Sequence, residues 1–456
     1  MKKFKFITLL SVITLFASCD NDDDSTIVNL TPSETSNFTV SIENIGSAYS
    51  FIDSGVFNTP VGDASPGPAT PGKRYEFTVD AGRSQKLSFV TMLAATNDLF
   101  FAPDGNGIAF YDDNGDPISR DVTNQVYLWD AGTEVNEEPA VGPNTVGMQS
   151  GPDTGAVENG NVLKIADVTN GFMFDYPAVN EIISVSITHV EGTLFTVSIE
   201  DLTTASLETS VGTSVAPLSP GVYVIHGGEN PLFTEGEADY GQGVESIAED
   251  GNAAPLSDYT AENTGVTYPS SPGIFVVHEG NTMPLFTSGV TDFDLGLEHI
   301  AEDGNTAVLA DNLSGLEGQI SGAVFNTVDG GSGPGPLLPG NTYTFSFTAE
   351  AGNSLSFASM LAATNDVLFA TQDTGIELFS ADGTPLSGDI TNEVYLWDAG
   401  TEVNEQPAIG PNTVTNQLAA DTGIDETEPV QLLSNVNDGY SYPNVDTVLR
   451  ITITPN

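Results

Sequence analysis

Basic side chains are scarce in this chain: 10 Lys and Arg stand against 63 Asp and Glu, a net charge of −53. A nucleic-acid-binding protein needs a basic face to displace phosphate counterions, so that class is excluded. Broad electrostatic docking on anionic lipid is disfavoured for the same reason, and cations or cationic patches become the natural counterparts. The single cysteine excludes an internal disulfide framework and any Cys-based zinc site. There are four histidines, none of them in a hydrolase motif, and Gly-x-Ser-x-Gly, His-Glu-x-x-His and phosphate-cradling loops are missing. The chain is therefore not expected to be an enzyme. Long amphipathic helical periodicity is missing too. What is present is 39% hydrophobic and only 16% charged, enough apolar material for folded cores. With 47 Gly, 27 Pro and 24 Phe, it reads as many turns joining short strands.

The N-terminus has the layout of a secretory signal. Lys2, Lys3 and Lys5 precede an apolar stretch from Phe6 to Ala17, too short for a mature membrane span, which needs about 20 residues. Leu15-Phe16-Ala17-Ser18-Cys19 is similar to a bacterial lipobox, so residues 1–18 are expected to be removed and Cys19 lipidated. Asp20, Asp22, Asp23 and Asp24 follow, as in the surface-export signal of some Gram-negative lipoproteins; a solvated linker would look the same. Residues 19–36 read as an acidic flexible tether. Loss of the three leader lysines leaves 7 basic residues against 63 acids, a mature charge of −56.

Two long segments repeat at a constant spacing of 268 residues. Met92-Leu-Ala-Ala-Thr-Asn-Asp98 and Trp129-Asp130-Ala-Gly-Thr-Glu134 recur as Met360-Leu-Ala-Ala-Thr-Asn-Asp366 and Trp397-Asp398-Ala-Gly-Thr-Glu402. The match runs without a gap from Phe57 and Phe325 to Thr145 and Thr413. Phe38-Thr-Val-Ser-Ile-Glu43 recurs as Phe195-Thr-Val-Ser-Ile-Glu200, marking a first strand in each copy. Domains are thus expected over 37–193 and 194–456, the second enlarged by an insertion over about 203–320. The insertion has its own repeat: Ser219-Pro-Gly-Val-Tyr-Val-Ile-His226 echoes in Ser271-Pro-Gly-Ile-Phe-Val-Val-His278, each followed by a short helix near Val244–Ala248 or Leu295–Ala301 that an Asp-Gly stops. Copy one, without this unit, is expected to be a short version. Elsewhere the apolar period is two, as in Tyr75-Glu-Phe-Thr-Val and Leu449-Arg-Ile-Thr-Ile. The expected fold is all-β: two tandem antiparallel β-sandwiches, with short helices in the insertion.

The motifs Met-Leu-Ala-Ala-Thr-Asn-Asp and Trp-Asp-Ala-Gly-Thr-Glu resemble the spondin N-terminal (F-spondin) domain, and the Ser-Pro-Gly, Val-His and Ala-Glu-Asp-Gly unit resembles the upstream half of its bacterial members. The resemblance covers most of residues 38–456. It implies an extracellular C2-like sandwich with a calcium site in loops at one end, and for animal members a role in cell–matrix adhesion. Carried onto this chain, it places metal ligands at Asp98, Asp130 and Glu134, and at Asp366, Asp398 and Glu402. Animal members have Asp where this chain has Glu134 and Glu402, and they use disulfides this chain cannot form.

The residues fit such a site on chemistry alone. Calcium takes six to eight oxygens; Asp130, Thr133, Glu134 and Asn136 offer them, and Gly132 allows a sharp turn. Turn-capping, solvated acids are the alternative reading. Trp129 and Trp397 are core residues at a strand end, or else stacking platforms for a sugar ring. Asp112-Asp113-Asn114-Gly115-Asp116 needs no more than a hairpin turn. His226 and His278 read as partly buried structural histidines, with a zinc role for His226 and Glu229 as the alternative. His189 and His299 have no identifiable partner in the sequence. Paired acids such as Asp130 and Glu134 also raise glycoside cleavage, which needs two carboxyls about 5–10 Å apart in a cleft.

The expected function is that of a surface lipoprotein on a Gram-negative outer membrane, held by a lipid at Cys19. Its calcium-bound sandwiches would mediate adhesion or recognition of an extracellular protein or glycan. A glycan-binding lipoprotein serving polysaccharide capture is the alternative.

Overall fold

The computed structural model describes residues 34–169 and 173–456; the leader, Cys19 and Asp20–Asp24 lie outside these. The fold is all-β, built as two antiparallel sandwiches. In sandwich one, the large sheet runs in the order Asp53–Phe57, Leu218–His226, Lys86–Leu93, Leu99–Pro103, Val126–Asp130 and Leu163–Lys164. The small sheet runs Arg74–Asp80, Leu194–Asp201, Ile183–Glu191 and Arg120–Asp121. Sandwich two repeats this plan. Its large sheet is Gln319–Phe325, Ser270–Glu279, Asn353–Leu361, Val367–Thr371, Val394–Asp398 and Gln431–Leu432; its small sheet is Thr342–Glu350, Thr35–Asn44, Leu449–Pro455 and Gly388–Asp389.

The sheets do not follow the boundary expected between residues 193 and 194. The strand Thr35–Asn44 pairs with Thr342–Glu350 on one side and Leu449–Pro455 on the other, so it completes sandwich two. Its sequence twin Leu194–Asp201 pairs with Arg74–Asp80 and Ile183–Glu191 in sandwich one. The two chain segments have exchanged first strands. Alternation explains why either could serve: Phe38, Val40 and Ile42 are buried, as are Phe195, Val197 and Ile199. Each such side chain contributes roughly 1.5–3 kcal/mol on burial, and the two sets are nearly the same.

The duplicated unit is divided between the sandwiches in the same way. Leu218–His226 pairs with Asp53–Phe57 and Lys86–Leu93, in sandwich one; Ser270–Glu279 pairs with Gln319–Phe325 and Asn353–Leu361, in sandwich two. Sandwich one is therefore not a short version, and the segment 203–320 is not an insertion into one domain. The unit follows the body of sandwich one and precedes the body of sandwich two.

Each unit also lays two helices on the outer face of its large sheet: Val244–Asp250 with Ala254–Glu262, and Leu297–Asp303 with Ala307–Asn312. The first helix of each pair stops at Gly251 or Gly304, whose φ of 63° or 65° ends the helix as the Asp-Gly signal implies. The second helix of each pair was not expected. The cover explains why Lys86–Leu93 is buried almost throughout: Leu87, Phe89 and Leu93 face the other sheet, while Val90 and Met92 face Val244, Ile247 and Leu256 of the helices. Among the described residues no helix is long and apolar enough to cross a membrane.

The turn at Gly82–Gln85 of sandwich one meets the loop after Ala399 of sandwich two. Arg83 Nη1 donates to the Pro411 carbonyl at 2.6 Å, Gln85 Nε2 to the Ala408 carbonyl at 2.7 Å, and Ser84 Oγ to Asn416 Oδ1 at 2.6 Å.

Candidate metal centre

Strand register brings the first two acids together. Leu99 pairs with Asp130 across neighbouring strands, so Asp98, one residue before Leu99, lies beside Asp130 at the same end of the sheet. Val367 pairs with Asp398 in the same way and sets Asp366 beside it. The chain then turns at Gly132, φ 69°, where a Cβ would come within 2.6 Å of the Asn161 carbonyl oxygen. Only glycine fits this backbone and this approach. Gly400 repeats the arrangement against Glu428.

Asp98 is fully buried and accepts from Thr133 N at 3.0 Å, Thr133 Oγ1 at 2.7 Å and Glu134 N at 3.1 Å. Asp130 accepts from Gly132 N at 2.7 Å and from Asn136 Nδ2. Sandwich two reproduces these bonds: Asp366 accepts from Thr401 N at 3.0 Å, Thr401 Oγ1 at 2.9 Å and Glu402 N at 3.2 Å, and Asp398 from Gly400 N at 2.7 Å and Asn404 Nδ2 at 2.6 Å.

The third acid in each group is one the sequence reading missed. Asp98, Asp130 and Glu158 have carboxylate oxygens within 4.8 Å of one another, as have Asp366, Asp398 and Glu426. The signal was available: Asp153-Thr-Gly-Ala-Val-Glu158 and Asp421-Thr-Gly-Ile-Asp-Glu426 keep the spacing of 268 beyond Thr145 and Thr413.

Glu134 and Glu402, expected as ligands with these aspartates, turn elsewhere. Glu134 Oε1 accepts from Gly155 N at 2.6 Å and Oε2 from Asn97 Nδ2 at 3.1 Å; it groups with Asp153 and Glu249 instead. Glu402 accepts from Gly423 N at 2.8 Å and Asn365 Nδ2 at 3.1 Å. The longer side chain reaches past the aspartate pair and closes the following loop.

Burial pushes Asp98 and Asp366 well above the usual carboxylate range, and the charge of Asp130 or Asp398 adds to it. Burial also raises Asp130 and Asp398. None of the four ion pairs found among the described residues reaches these acids. Adjacent buried carboxyls without a basic partner need a proton or a cation between them. Every donor offered is a hard oxygen, which fits calcium and does not fit a soft metal.

The remaining candidates are structural. Trp129 is fully buried, stacks edge-on with Phe233 at 4.9 Å, and donates from Nε1 to the Ala102 carbonyl at 3.0 Å; Trp397 is equally buried, 4.8 Å from Phe286. Neither offers a face to a sugar. His226 uses both nitrogens, with Nδ1 on the Gly228 carbonyl at 2.8 Å and Nε2 on Ser88 Oγ at 2.9 Å, which leaves none for zinc. His278 does the same with the Glu279 carbonyl and Ser356 Oγ, each at 3.0 Å. His189 Nε2 lies 3.0 Å from the Gly192 carbonyl in its hairpin, and His299 neighbours Asp292 and Glu298. Asp112 Oδ1 accepts from Asn114 N at 2.9 Å and Asp116 N at 3.0 Å, the hairpin turn expected there. Asp130 and Glu134 are 2% and 3% exposed, so this pair does not flank an open cleft.

Compared with family models and with curated proteins, the chain matches none.

Proposed function

We propose that this chain is a surface lipoprotein whose two calcium-stabilised sandwiches mediate adhesion or extracellular recognition. The observation that carries the reading is the triad of buried Asp98 and Asp130 with half-buried Glu158, repeated at Asp366, Asp398 and Glu426 with the same hydrogen bonds to the aspartates. In each copy these three would hold the ion together with nearby carbonyls and water. Calcium supplies charge neutralisation there and ties the loop after Asp130 or Asp398 to the loop before Leu99 or Val367. Loops fixed in this way form one end of each sandwich and are the surface offered to a partner. Anchorage at Cys19 on the outer membrane rests on the leader sequence, and the resemblance to spondin domains supplies the adhesive role.

Thermal unfolding in calcium and in a chelator tests this. Calcium at a hundredfold excess over Kd stabilises a folded site by about 2.7 kcal/mol. Wild type is expected to melt higher in calcium, and the double variant Asp130→Ala, Asp398→Ala to show a much smaller difference. Equal melting of wild type in both conditions would remove the basis of the proposal.

A further inference from the structure

Each sandwich has a second group of acids beside the triad. In sandwich one it is Glu134, Asp153 and Glu249; in sandwich two it is Glu298, Glu302 and Asp421, again with carboxylate oxygens within 4.8 Å of one another. Glu249 and Glu302 are matching residues, each in the last turn of the first covering helix. Acid clusters are common on a chain this acidic, and most need no ligand. In each of these two, one glutamate is almost wholly enclosed. Glu249 is 3% exposed and Glu302 2%, and among the described residues Glu249 Oε1 and Glu302 Oε2 have no hydrogen-bond partner.

A buried carboxylate oxygen without a partner is costly, and here the cost recurs at the same place in both halves. The position adds to it. The carbonyl end of a helix carries partial negative charge, which opposes an anion and favours a cation. The opposite side of each group is exposed: Asp153 and Asp421 face solvent, so an ion has a way in.

We propose that Glu249 with Asp153, and Glu302 with Asp421, hold a second divalent cation in each sandwich, separate from the ion of the triad. Glu134 supplies a further oxygen in sandwich one and Glu298 in sandwich two. The two sites share a hydroxyl. Thr133 donates to Asp98 and lies against Glu249, while Thr401 Oγ1 is 2.7 Å from Glu302 Oε1 and 2.9 Å from Asp366 Oδ1. The second ion pins the helix to the loop after Asp130 or Asp398. The contacts of Gln149 Nε2 with Asp250 at 2.7 Å and of Gln417 Nε2 with Asp303 at 3.0 Å already bring these parts together. The proposal extends the calcium reading to a further site and keeps the same ligand chemistry.

Equilibrium dialysis of the soluble chain against radioactive calcium counts the ions. The expected result is two per sandwich in wild type and one per sandwich in the double variant Glu249→Gln, Glu302→Gln. This isosteric change removes charge, and circular dichroism in a chelator verifies that the fold is kept. Two ions in total in both proteins would overturn the second site and leave the triad standing. Two ions in wild type and none in the variant would place calcium at the glutamates and overturn the triad reading. No bound calcium in wild type would overturn both. Asp98→Asn with Asp366→Asn provides the reciprocal arm: the second site keeps one ion per sandwich, and loss of all four would show that no independent site exists.

Discussion

Asn44 and Asp201 occupy the same position in the two sandwiches with different chemistry. Their backbones match: Gly340 N donates to the Asn44 carbonyl at 2.8 Å, and Gly72 N to the Asp201 carbonyl at 2.7 Å. Asn44 Nδ2 donates to the Tyr268 and Leu337 carbonyls, each at 3.0 Å. Asp201 is fully buried, and among the described residues neither of its carboxylate oxygens has a partner. Burial, with the charge of Glu200, pushes it up to about 8.

That difference has a pH signature. Folded sandwich one holds a proton on Asp201 that the unfolded chain releases near pH 4, so the folded state binds more protons between pH 4 and about 8. Stability from this group is full below pH 4 and is lost as pH rises to about 8. Asp201→Asn is expected to remove this slope and to stabilise sandwich one by roughly 1–3 kcal/mol at pH 8. Denaturant melts of wild type and variant at pH 5 and pH 8 check it; equal differences at both pH values would contradict it.

The strand exchange predicts which fragments fold. Residues 46–266 contain every strand of sandwich one, and this fragment is expected to melt cooperatively. Residues 267–456 hold the other strands of sandwich two but lack both Thr35–Asn44, an inner strand of its small sheet, and the twin Leu194–Asp201, and are expected not to. Addition of a peptide spanning 34–45 should restore a transition. Cooperative calorimetric unfolding of 267–456 alone would contradict the topology.

Alternation and the internal repeat could be read in the sequence because both are patterns of spacing; Asp98 and Asp130 were named by the resemblance, and strand register sets them side by side. The ownership of the two first strands could not. Phe38–Glu43 and Phe195–Glu200 are the same six residues, so either satisfies either sheet and only the connections decide. Glu134 was placed with Asp130 by the resemblance, whose motif carries an acid four residues after the aspartate, yet its longer side chain bonds a backbone amide of the next loop. Glu158 was missed because its loop departs from the resembled motifs, although the 268-residue spacing to Glu426 continues through it.

Gly132→Ala is expected to cost about 1–3 kcal/mol, because φ is 69° and a Cβ would meet the Asn161 carbonyl oxygen at 2.6 Å. Calcium affinity should fall with it, since this turn carries Thr133 N toward Asp98. Chemical denaturation together with a calcium titration of the variant measures both effects; an unchanged midpoint and affinity would contradict the role given to the turn.

His226 is held down to about 4 by burial, against an ordinary value of 6.5. The unfolded chain takes up that proton first, so stability from this group is full above pH 6.5 and is lost as pH falls to about 4. Nitrogen chemical shifts of the imidazole are expected to show a neutral ring down to pH 5. A midpoint near 6.5 would show that Ser88 and the Gly228 carbonyl do not enclose it as described.

The most direct test of the calcium reading is the anomalous difference density of crystals grown in calcium. A peak is expected between Asp98, Asp130 and Glu158, and another between Asp366, Asp398 and Glu426, each with oxygens at about 2.3–2.6 Å. Density showing Asp98 and Asp130 joined by a direct hydrogen bond, with no anomalous peak at either triad, would contradict it.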